Sequence, residues 1–181
     1  WAPALLLSSY MNIETYTTVM ATFAKKNFQP GSPLRTLYML FAGQGQELFN
    51  EDEINPLLDN WQQNISMILG NRTPGDADVI LGLGDGLVNY RREVEAGHLC
   101  YLLGGGVFEH LEAKGARMCL LGVNHVTHPS NYWSPAAIQR TEVWERAQQL
   151  GNQKFSAPPL QVYKLAHAIY LSELGFQEKA L

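Results

Sequence analysis

The sequence is poor in charge and in cysteine, and it lacks any long apolar run. Charged residues make up 17% of the 181 residues, against roughly 25% in typical globular domains. No apolar stretch approaches the roughly 18 residues of a transmembrane helix, and no secretory signal peptide opens the chain. Two cysteines, Cys100 and Cys119, are too few for a disulfide framework and favour a reducing, cytosolic compartment.

Basic charge is scarce as well. The chain has 13 Lys and Arg against 17 Asp and Glu, a net charge of −4, whereas nucleic-acid recognition usually needs a basic stripe. The densest basic groups are the dipeptides Lys25-Lys26 and Arg91-Arg92, which we interpret as solvated helix ends. The composition therefore predicts no nucleic-acid partner and no polybasic membrane patch.

The sequence is rich in signals for the starts and ends of helices. Asn12, Ser32-Pro33 and Ser134-Pro135 are start signals, because these side chains cap a helix and proline is tolerated at its first position. Asn55-Pro56 resembles them and predicts a helix that continues to Leu69. Apolar residues at spacings of three and four follow each signal, and glycines supply the stops.

These signals predict an all-α chain of seven or eight helices. Short connections favour antiparallel packing of consecutive helices, and a string of such pairs without a closing element is typical of an α-solenoid. Trp1 is not a start methionine and Leu181 ends within a helical pattern. We therefore expect residues 1–181 to form a single helical solenoid domain, as a fragment truncated at both ends.

Three segments depart from this helical pattern. Residues 43–53 predict an acidic, solvated loop, and a short helix is expected around Phe108 and Leu111. Residues 118–123 form a brief apolar run, the best strand candidate in the chain. The run of glycines at 104–106 forces a break and leaves the path of residues 104–120 open.

One glycine-rich segment suggests an enzyme. The apolar residues from Val79 run into Gly82–Gly86, which resembles a dinucleotide-binding loop. The spacing, however, is G-x-G-x-G, Asp85 would place a negative charge beside a phosphate, and no strand–helix alternation surrounds it. We favour a helix whose glycines allow a neighbouring helix to pack closely, and a small α/β nucleotide-binding enzyme remains the alternative.

No other group of residues predicts a catalytic site or a metal site. His98 and Cys100, or Cys119 with His125 and His128, do not have the paired spacing of a structural zinc site. A cysteine nucleophile would need a base and an orienting group, which the pattern does not provide. We therefore expect no catalytic residues, no metal and no cofactor.

Two large aromatic residues, Tyr132 and Trp133, lie in a predicted loop just before the Ser134 cap. They fit a hydrophobic staple onto the following helix. They also fit an exposed anchor for a protein partner, a role that Tyr and Trp often have. These two residues are the only partner-binding candidates that the sequence offers.

Eight short stretches, which follow one another in family order over nearly the whole chain, resemble a known family. They are ALLLSS at 4–9, SPLRTLY at 32–38, LGDGL at 83–87, AGHLCYL at 96–102, LGVNH at 121–125, AIQRTE at 137–142, QQLG at 148–151 and QVYKL at 161–165. Together they are similar to the central helical domain of the Sec-sixteen family, the scaffold that organises COPII coat assembly at endoplasmic-reticulum exit sites.

The resemblance implies an ancestral coatomer element, an α-solenoid that folds back on itself. It also implies a non-catalytic role in endoplasmic-reticulum-to-Golgi vesicle transport, through binding of COPII coat proteins and self-association into a homo-oligomer. The expected location is the cytosolic face of the endoplasmic-reticulum membrane at exit sites, with the Golgi as an alternative. In this family the domain pairs with the WD-repeat propeller subunit of the outer coat by donating β-strands, and the sequence contains no such strands before its helices.

Overall fold

A computed structural model of the protein describes residues 1–130 and 133–180, except for the side chain of residue 179. Throughout these residues the regular secondary structure is helical, and no strand is formed. The prediction of an all-α fold is therefore confirmed. The chain is divided into two compact units. The first comprises Trp1–Arg92 and Leu99–Gly105, and the second comprises Glu93–His98 and the described residues after Gly105.

The first unit is a succession of helices joined by short connections. Its helices are α1 (Ala2–Ser9), α2 (Ile13–Asn27), α3 (Pro33–Phe41), α4 (Glu51–Asp59), α5 (Trp61–Gly70) and α6 (Asp76–Gly86), with a 3-10 helix at Gly45–Phe49 and a π-helical turn at Leu87–Arg91. Helix α2 packs on α1 and α3, and α5 packs on α3, α4 and α6. Packing between helices that are close in the sequence is the solenoid-like feature that the sequence predicted.

Side-chain caps fix the starts of α2 and α3. Asn12 Oδ1 accepts a hydrogen bond from the Thr15 N–H at 2.7 Å. Ser32 Oγ accepts one from the Arg35 N–H at 3.3 Å, with Pro33 at the first helical position. Each cap satisfies an N–H group that has no partner inside the helix. Both predicted start signals are confirmed.

Arg35 connects α3 to the C-terminal end of α2. Its guanidinium donates to the carbonyl oxygens of Lys25 at 3.1 Å and Phe28 at 2.8 Å, and it forms an ion pair with Glu53 of α4. A cation is favourable there because the carbonyls at a helix C-terminus carry partial negative charge. Arg35 thereby fixes three elements of the first unit relative to one another.

The turn between α2 and α3 lies directly against α4 and α5. Gly31 has a φ of +72°, and a Cβ at this position would lie 2.2 Å from the Pro56 carbonyl carbon. Its carbonyl accepts a hydrogen bond from Asn64 Nδ2 at 2.9 Å, and Asn64 Oδ1 accepts one from Thr36 Oγ1 at 2.5 Å. Glycine is therefore required at position 31 both for its backbone conformation and for the close approach.

The predicted helix start at Asn55-Pro56 is wrong. Helix α4 begins earlier, at Glu51, and contains Pro56 in its interior. The acidic residues at 51–53, which predicted a solvated loop, form its first turn, where negative charge is favourable at the positive end of the helix dipole. The expected continuous helix to Leu69 is interrupted at Asn60, so that Trp61 begins α5.

Helix α7 (Val94–Leu103) begins in the second unit and ends in the first. The second unit also contains α8 (Pro135–Gly151), α9 (Leu160–Glu173) and the short α10 (Gln177–Ala180). Ser134 caps α8 as predicted, since its Oγ accepts a hydrogen bond from the Ala137 N–H at 3.4 Å. The core of this unit brings the two long helices together; its buried members are Leu120, Ala137, Ile138, Ala157, Leu160 and Tyr163.

The segment after the glycine run is irregular. The expected helix around Phe108 and Leu111 is not formed, and residues 118–123 are not a strand. The prediction of a strand in this apolar run is wrong, although Met118, Cys119 and Leu120 are buried. At one end of these residues the Met118 carbonyl accepts a hydrogen bond from the Glu109 N–H at 2.9 Å, and at the other the Leu121 N–H donates to Thr141 Oγ1 at 3.0 Å.

Candidate functional site

The glycine-rich segment Gly82–Gly86 is the C-terminal half of α6, not a phosphate-binding loop. A Cβ at Gly82 would lie 2.6 Å from the Phe49 ring, and one at Gly86 would lie 2.8 Å from Leu58 Cδ2. The close packing that we favoured for these glycines is therefore confirmed. The α/β nucleotide-binding alternative is not supported, because a dinucleotide loop joins a strand to a helix N-terminus and the described residues form no strand.

The cysteine and histidine candidates are buried rather than reactive. Burial raises the pKa of the Cys100 thiol to about 12 and that of Cys119 to about 11, with Glu109 adding to the shift at Cys119. Because the thiolate is the nucleophilic form, both thiols are held in the unreactive state at neutral pH. Among the described residues no group of three or more His, Cys, Asp or Glu is placed to hold a metal ion.

His98 has a structural role that its position in the sequence did not indicate. The ring is 2% exposed, and its Nδ1 accepts a hydrogen bond from the Gly122 N–H at 3.1 Å. Burial lowers the pKa of His98 to about 4, which the charge of Glu95 opposes and that of His125 reinforces. The neutral ring thus anchors the irregular segment before α8 to helix α7.

Of the two aromatic candidates, Tyr132 lies outside the described residues. Trp133 is 44% exposed and lines a hollow of about 240 Å³ beside the start of α8. The other lining residues are Ser130, Ser134, Pro135, Ile138, His167 and Tyr170. An exposed Trp at the edge of a hollow has the placement of an anchor, and whether Trp133 binds a partner stays a prediction.

Helix α9 supplies residues that the sequence did not single out. The helical spacing predicts one inner face of α9, formed by Leu160, Tyr163, Ala166, Ile169, Tyr170 and Leu174. The structure buries Leu160 and Tyr163, together with His167, but exposes Ile169, Tyr170 and Leu174. The reason is that α9 is apolar on more than one face, so that spacing alone cannot tell which face is covered. His167 follows Tyr163 by four residues, and this spacing is the one signal that could have placed it inward.

A second apolar stripe of α9 is exposed and runs along Val162, Leu165 and Ile169. Leu165 also lines a larger groove of about 710 Å³ between α8, α9 and α10, where Glu142 and Lys164 add charge. On α8 the helical spacing predicts an inner face formed by Ile138, Thr141, Val143, Trp144, Ala147 and Leu150, but the structure exposes Val143 and Leu150. The α8–α9 pair therefore presents more apolar surface to solvent than the sequence predicted.

A buried carboxylate holds α8 and α9 together below this surface. Glu145 of α8 accepts a hydrogen bond from the Ala157 N–H at 2.8 Å and forms an ion pair with Lys164 of α9. Burial alone would raise the pKa of Glu145, but the hydrogen bonds from Lys164, Ala157 and Gln161 and the charge of Lys164 lower it below its usual value. The carboxylate is thus charged at neutral pH and fixes the helix pair that carries the hollow.

Fold and site together define a class: an all-α protein of packed helix pairs, with exposed apolar side chains and with no metal cluster or activated cysteine among the residues described. The family model described as "Sec16 Sec23-binding domain" matches residues 1–181, that is, the whole chain. The chain therefore belongs to the Sec16 family, as the resemblance indicated.

Curated relatives agree with this assignment. The chain is 40% identical to the "Protein transport protein SEC16A homolog" of Arabidopsis thaliana over 97% of its length. It is 35% identical to human "Protein transport protein Sec16B" over 100% of its length, and 34% identical to the "COPII coat assembly protein SEC16" of Phaeosphaeria nodorum over 99%. The chain spans 13%, 17% and 12% of these relatives, respectively.

No solved structure matches the chain at a significant level. Across the described residues, no helix is both long enough and apolar enough to span a membrane.

Proposed function

We propose that this chain is a non-catalytic scaffold domain that organises COPII coat assembly at endoplasmic-reticulum exit sites. It acts on the cytosolic face of the membrane and serves transport from the endoplasmic reticulum to the Golgi. The observation that carries the proposal is the match of the family to the entire chain, with relatives whose names specify protein transport and COPII coat assembly.

The surface of the second unit supports a binding role. Contiguous exposed apolar side chains on a folded protein usually mark a contact surface, and α9 has such a stripe at Val162, Leu165 and Ile169. The stripe lies on a helix whose inner face is fixed by Glu145 and Lys164. A rigid helix with an exposed apolar face is suited to hold a partner without a large ordering cost.

The partners that we propose are COPII coat subunits. The family description names Sec23, and we assign Sec23 to the helical faces of this chain. The WD-repeat propeller subunit of the outer coat is a second proposed partner. In the family that the sequence resembles, the domain binds this subunit by donating β-strands to it. Self-association into a homo-oligomer would multiply these contacts and raise the effective concentration of the coat subunits.

A segment exchange tests the proposal. In Arabidopsis cells that lack their own SEC16A homolog, a version of that protein whose matching segment is replaced by this chain is expected to gather at exit sites and restore secretion of a fluorescent cargo. The purified chain is expected to co-elute in size-exclusion chromatography with Sec23 or with the propeller subunit. A chimera that stays diffuse, together with no coat subunit retained, would refute the proposal.

The same preparation separates a scaffold from an enzyme. Calorimetry with ATP, GTP and NAD is expected to give no binding heat. The reason is that the side chains of Phe49 and Leu58 occupy the space beside Gly82 and Gly86, where a nucleotide would have to approach the backbone. Binding with micromolar affinity would contradict the non-catalytic assignment.

A further inference from the structure

The groove between α8, α9 and α10 combines apolar side chains with charged and amide groups. Its volume of about 710 Å³ lies within the roughly 300–1,000 Å³ that is typical of ligand pockets in proteins. Helix α9 contributes Leu165, Ala168 and Leu171 to the lining, and Leu165 also belongs to the exposed α9 stripe. An occupant of this groove therefore has to present apolar side chains to α9.

The charges of the groove are not balanced. Among the described residues, its lining contains one Lys and one Glu and no Asp or Arg, namely Lys164 and Glu142. Lys164 already pairs with Glu145, whose side chain is 3% exposed and does not line the groove. The side chain of Glu142 is half-buried and forms no ion pair or hydrogen bond with a described residue. Its negative charge is therefore uncompensated within the described lining and favours a positively charged group on the occupant.

Two carboxamides indicate the conformation of the occupant. Gln139 is exposed, and its side chain makes no hydrogen bond with a described residue, so that it can offer both a donor and an acceptor. Gln161 donates to Glu145 and to the Ala157 carbonyl, which leaves its Oε1 as an acceptor. An extended segment has free backbone N–H and C=O groups that carboxamides can pair, whereas a helix pairs its own. The groove is therefore suited to an extended segment rather than to a helix.

The spacing of side chains in such a segment follows from its backbone. Successive side chains of an extended chain point to opposite sides, so that residues i−2, i and i+2 share one face. A basic residue with an apolar residue two positions away on either side would place all three in the groove. Arginine suits Glu142 better than lysine does, because a guanidinium can form two parallel hydrogen bonds with one carboxylate.

We propose that the groove between α8, α9 and α10 binds an extended segment of a partner protein in which an arginine lies between apolar residues at positions i−2 and i+2. The guanidinium binds Glu142, the apolar side chains pack on α9, and the backbone pairs with Gln139 and Gln161. This inference rests on the proposed scaffold function and names the chemistry by which one of its partners is recognised.

The experiment uses the whole chain and a fluorescein-labelled, C-terminally amidated peptide, Gly-Ser-Leu-Ser-Arg-Ser-Leu-Ser-Gly. Fluorescence polarisation is expected to show saturable binding with a Kd of about 1 mM or tighter. Replacing the arginine by citrulline, which keeps the shape but not the charge, is expected to weaken binding about three- to tenfold. Replacing it by glutamate, or both leucines by serine, is expected to abolish binding.

Variants connect the binding to the groove. Glu142→Gln is expected to weaken binding of the arginine peptide about three- to tenfold, since it removes the same charge from the protein side. Glu142→Lys is expected to lose the arginine peptide and to bind the glutamate peptide instead, an exchange of preference that an unfolded variant could not show. Glu173→Lys is the matched control, because Glu173 is exposed on α9 outside the lining, and it is expected to leave binding unchanged.

Three results would overturn the inference. The first is no saturable binding of the arginine peptide at about 1 mM, and the second is binding that Glu142→Lys leaves intact. The third is another occupant. Either the acetylated helix-forming peptide Ala-Leu-Ala-Ala-Arg-Ala-Ala-Leu-Ala-Ala binds while the extended peptide does not, or sedimentation shows a dimer of the chain that Glu142→Lys abolishes.

Failure of this inference and failure of the scaffold function give different results. If the Glu142→Lys chain loses the arginine peptide while its segment-exchange chimera still gathers at exit sites, the inference holds and the groove is one contact among several. If the chimera of the unchanged chain fails but the peptides bind as expected, the scaffold function falls and the peptide site remains.

Discussion

Acidification is expected to destabilise this protein through His98, well before most carboxylates titrate. The ring is buried and accepts a hydrogen bond from the Gly122 N–H at Nδ1. Only a neutral Nδ1 can accept that bond, and a charged ring would also lose its hydration in the core. Protonation of His98 therefore destabilises the folded state in two ways.

The size of this loss of stability follows from the difference between the pKa of His98 in the unfolded chain and its pKa in the folded protein. Burial lowers the pKa of His98 from 6.5 to about 4, and each unit corresponds to about 1.4 kcal/mol. Between pH 6.5 and pH 4 the unfolded chain binds a proton that the folded chain does not, so that stability falls as the pH falls. The contribution of His98 is fully present above pH 6.5, and about 3 kcal/mol is lost by pH 4.

Urea unfolding followed by circular dichroism at pH 7, 6, 5 and 4 measures this loss. His98→Asn keeps an oxygen that can accept the Gly122 N–H but does not titrate, so that its free energy of unfolding is expected to fall by about 3 kcal/mol less than that of the wild type over this range. The exposed His128 provides the control, since His128→Asn is expected to follow the wild-type curve. If His98→Asn and wild type lost stability in parallel from pH 7 to pH 4, the burial argument would be refuted.

The other predictions concern packing, thiols and one buried hydrogen bond. Gly31→Ala is expected to lower the free energy of unfolding by about 2–3 kcal/mol more than Gly43→Ala does. Both glycines have a positive φ, but only at Gly31 does the added Cβ meet backbone atoms within 4 Å. Equal losses in urea titrations would contradict this. Cys100 and Cys119, with pKa values of about 12 and 11, are expected to react with Ellman's reagent only on unfolding, and rapid colour at pH 8 in native buffer would argue against buried thiols. Thr36→Val is expected to cost about 1–3 kcal/mol by thermal or urea unfolding, since it leaves a buried asparagine oxygen without its donor; an unchanged stability would show that this bond contributes little.

The sequence is most informative where a local signal acts alone. Asn12, Ser32 and Ser134 each cap the helix that they were predicted to start, because capping depends on three or four consecutive residues and on nothing distant. The break after α7 is equally local, since Gly105 adopts a φ of +80° that few other residues tolerate. These signals were sufficient to predict the class of the fold.

Where two local signals compete, tertiary contacts decide. Pro56 predicted a helix start, yet α4 passes through it because the acidic first turn at Glu51 starts the helix earlier and Glu53 pairs with Arg35, a residue 18 positions away. The segment around Met118 depends on the same kind of contact. It is held by Thr141 and His98, and neither pairing could be predicted from spacing.

The candidate site shows why the sequence pattern predicted a helical protein but not which residues are exposed. Helix α9 is apolar on two faces, one through Leu160 and Tyr163 and one through Val162 and Leu165, and both satisfy the same helical spacing. Which face is covered depends on Glu145 and the core of α8, so that the exposed face is identified only when the two helices are seen together. The low charge content noted first in the sequence then has a structural meaning. On the α8–α9 pair, exposed apolar side chains such as Val143, Val162 and Leu165 lie among uncharged polar residues such as Gln148 and Gln161, and exposed apolar side chains that lie together on a folded surface usually mark a contact surface.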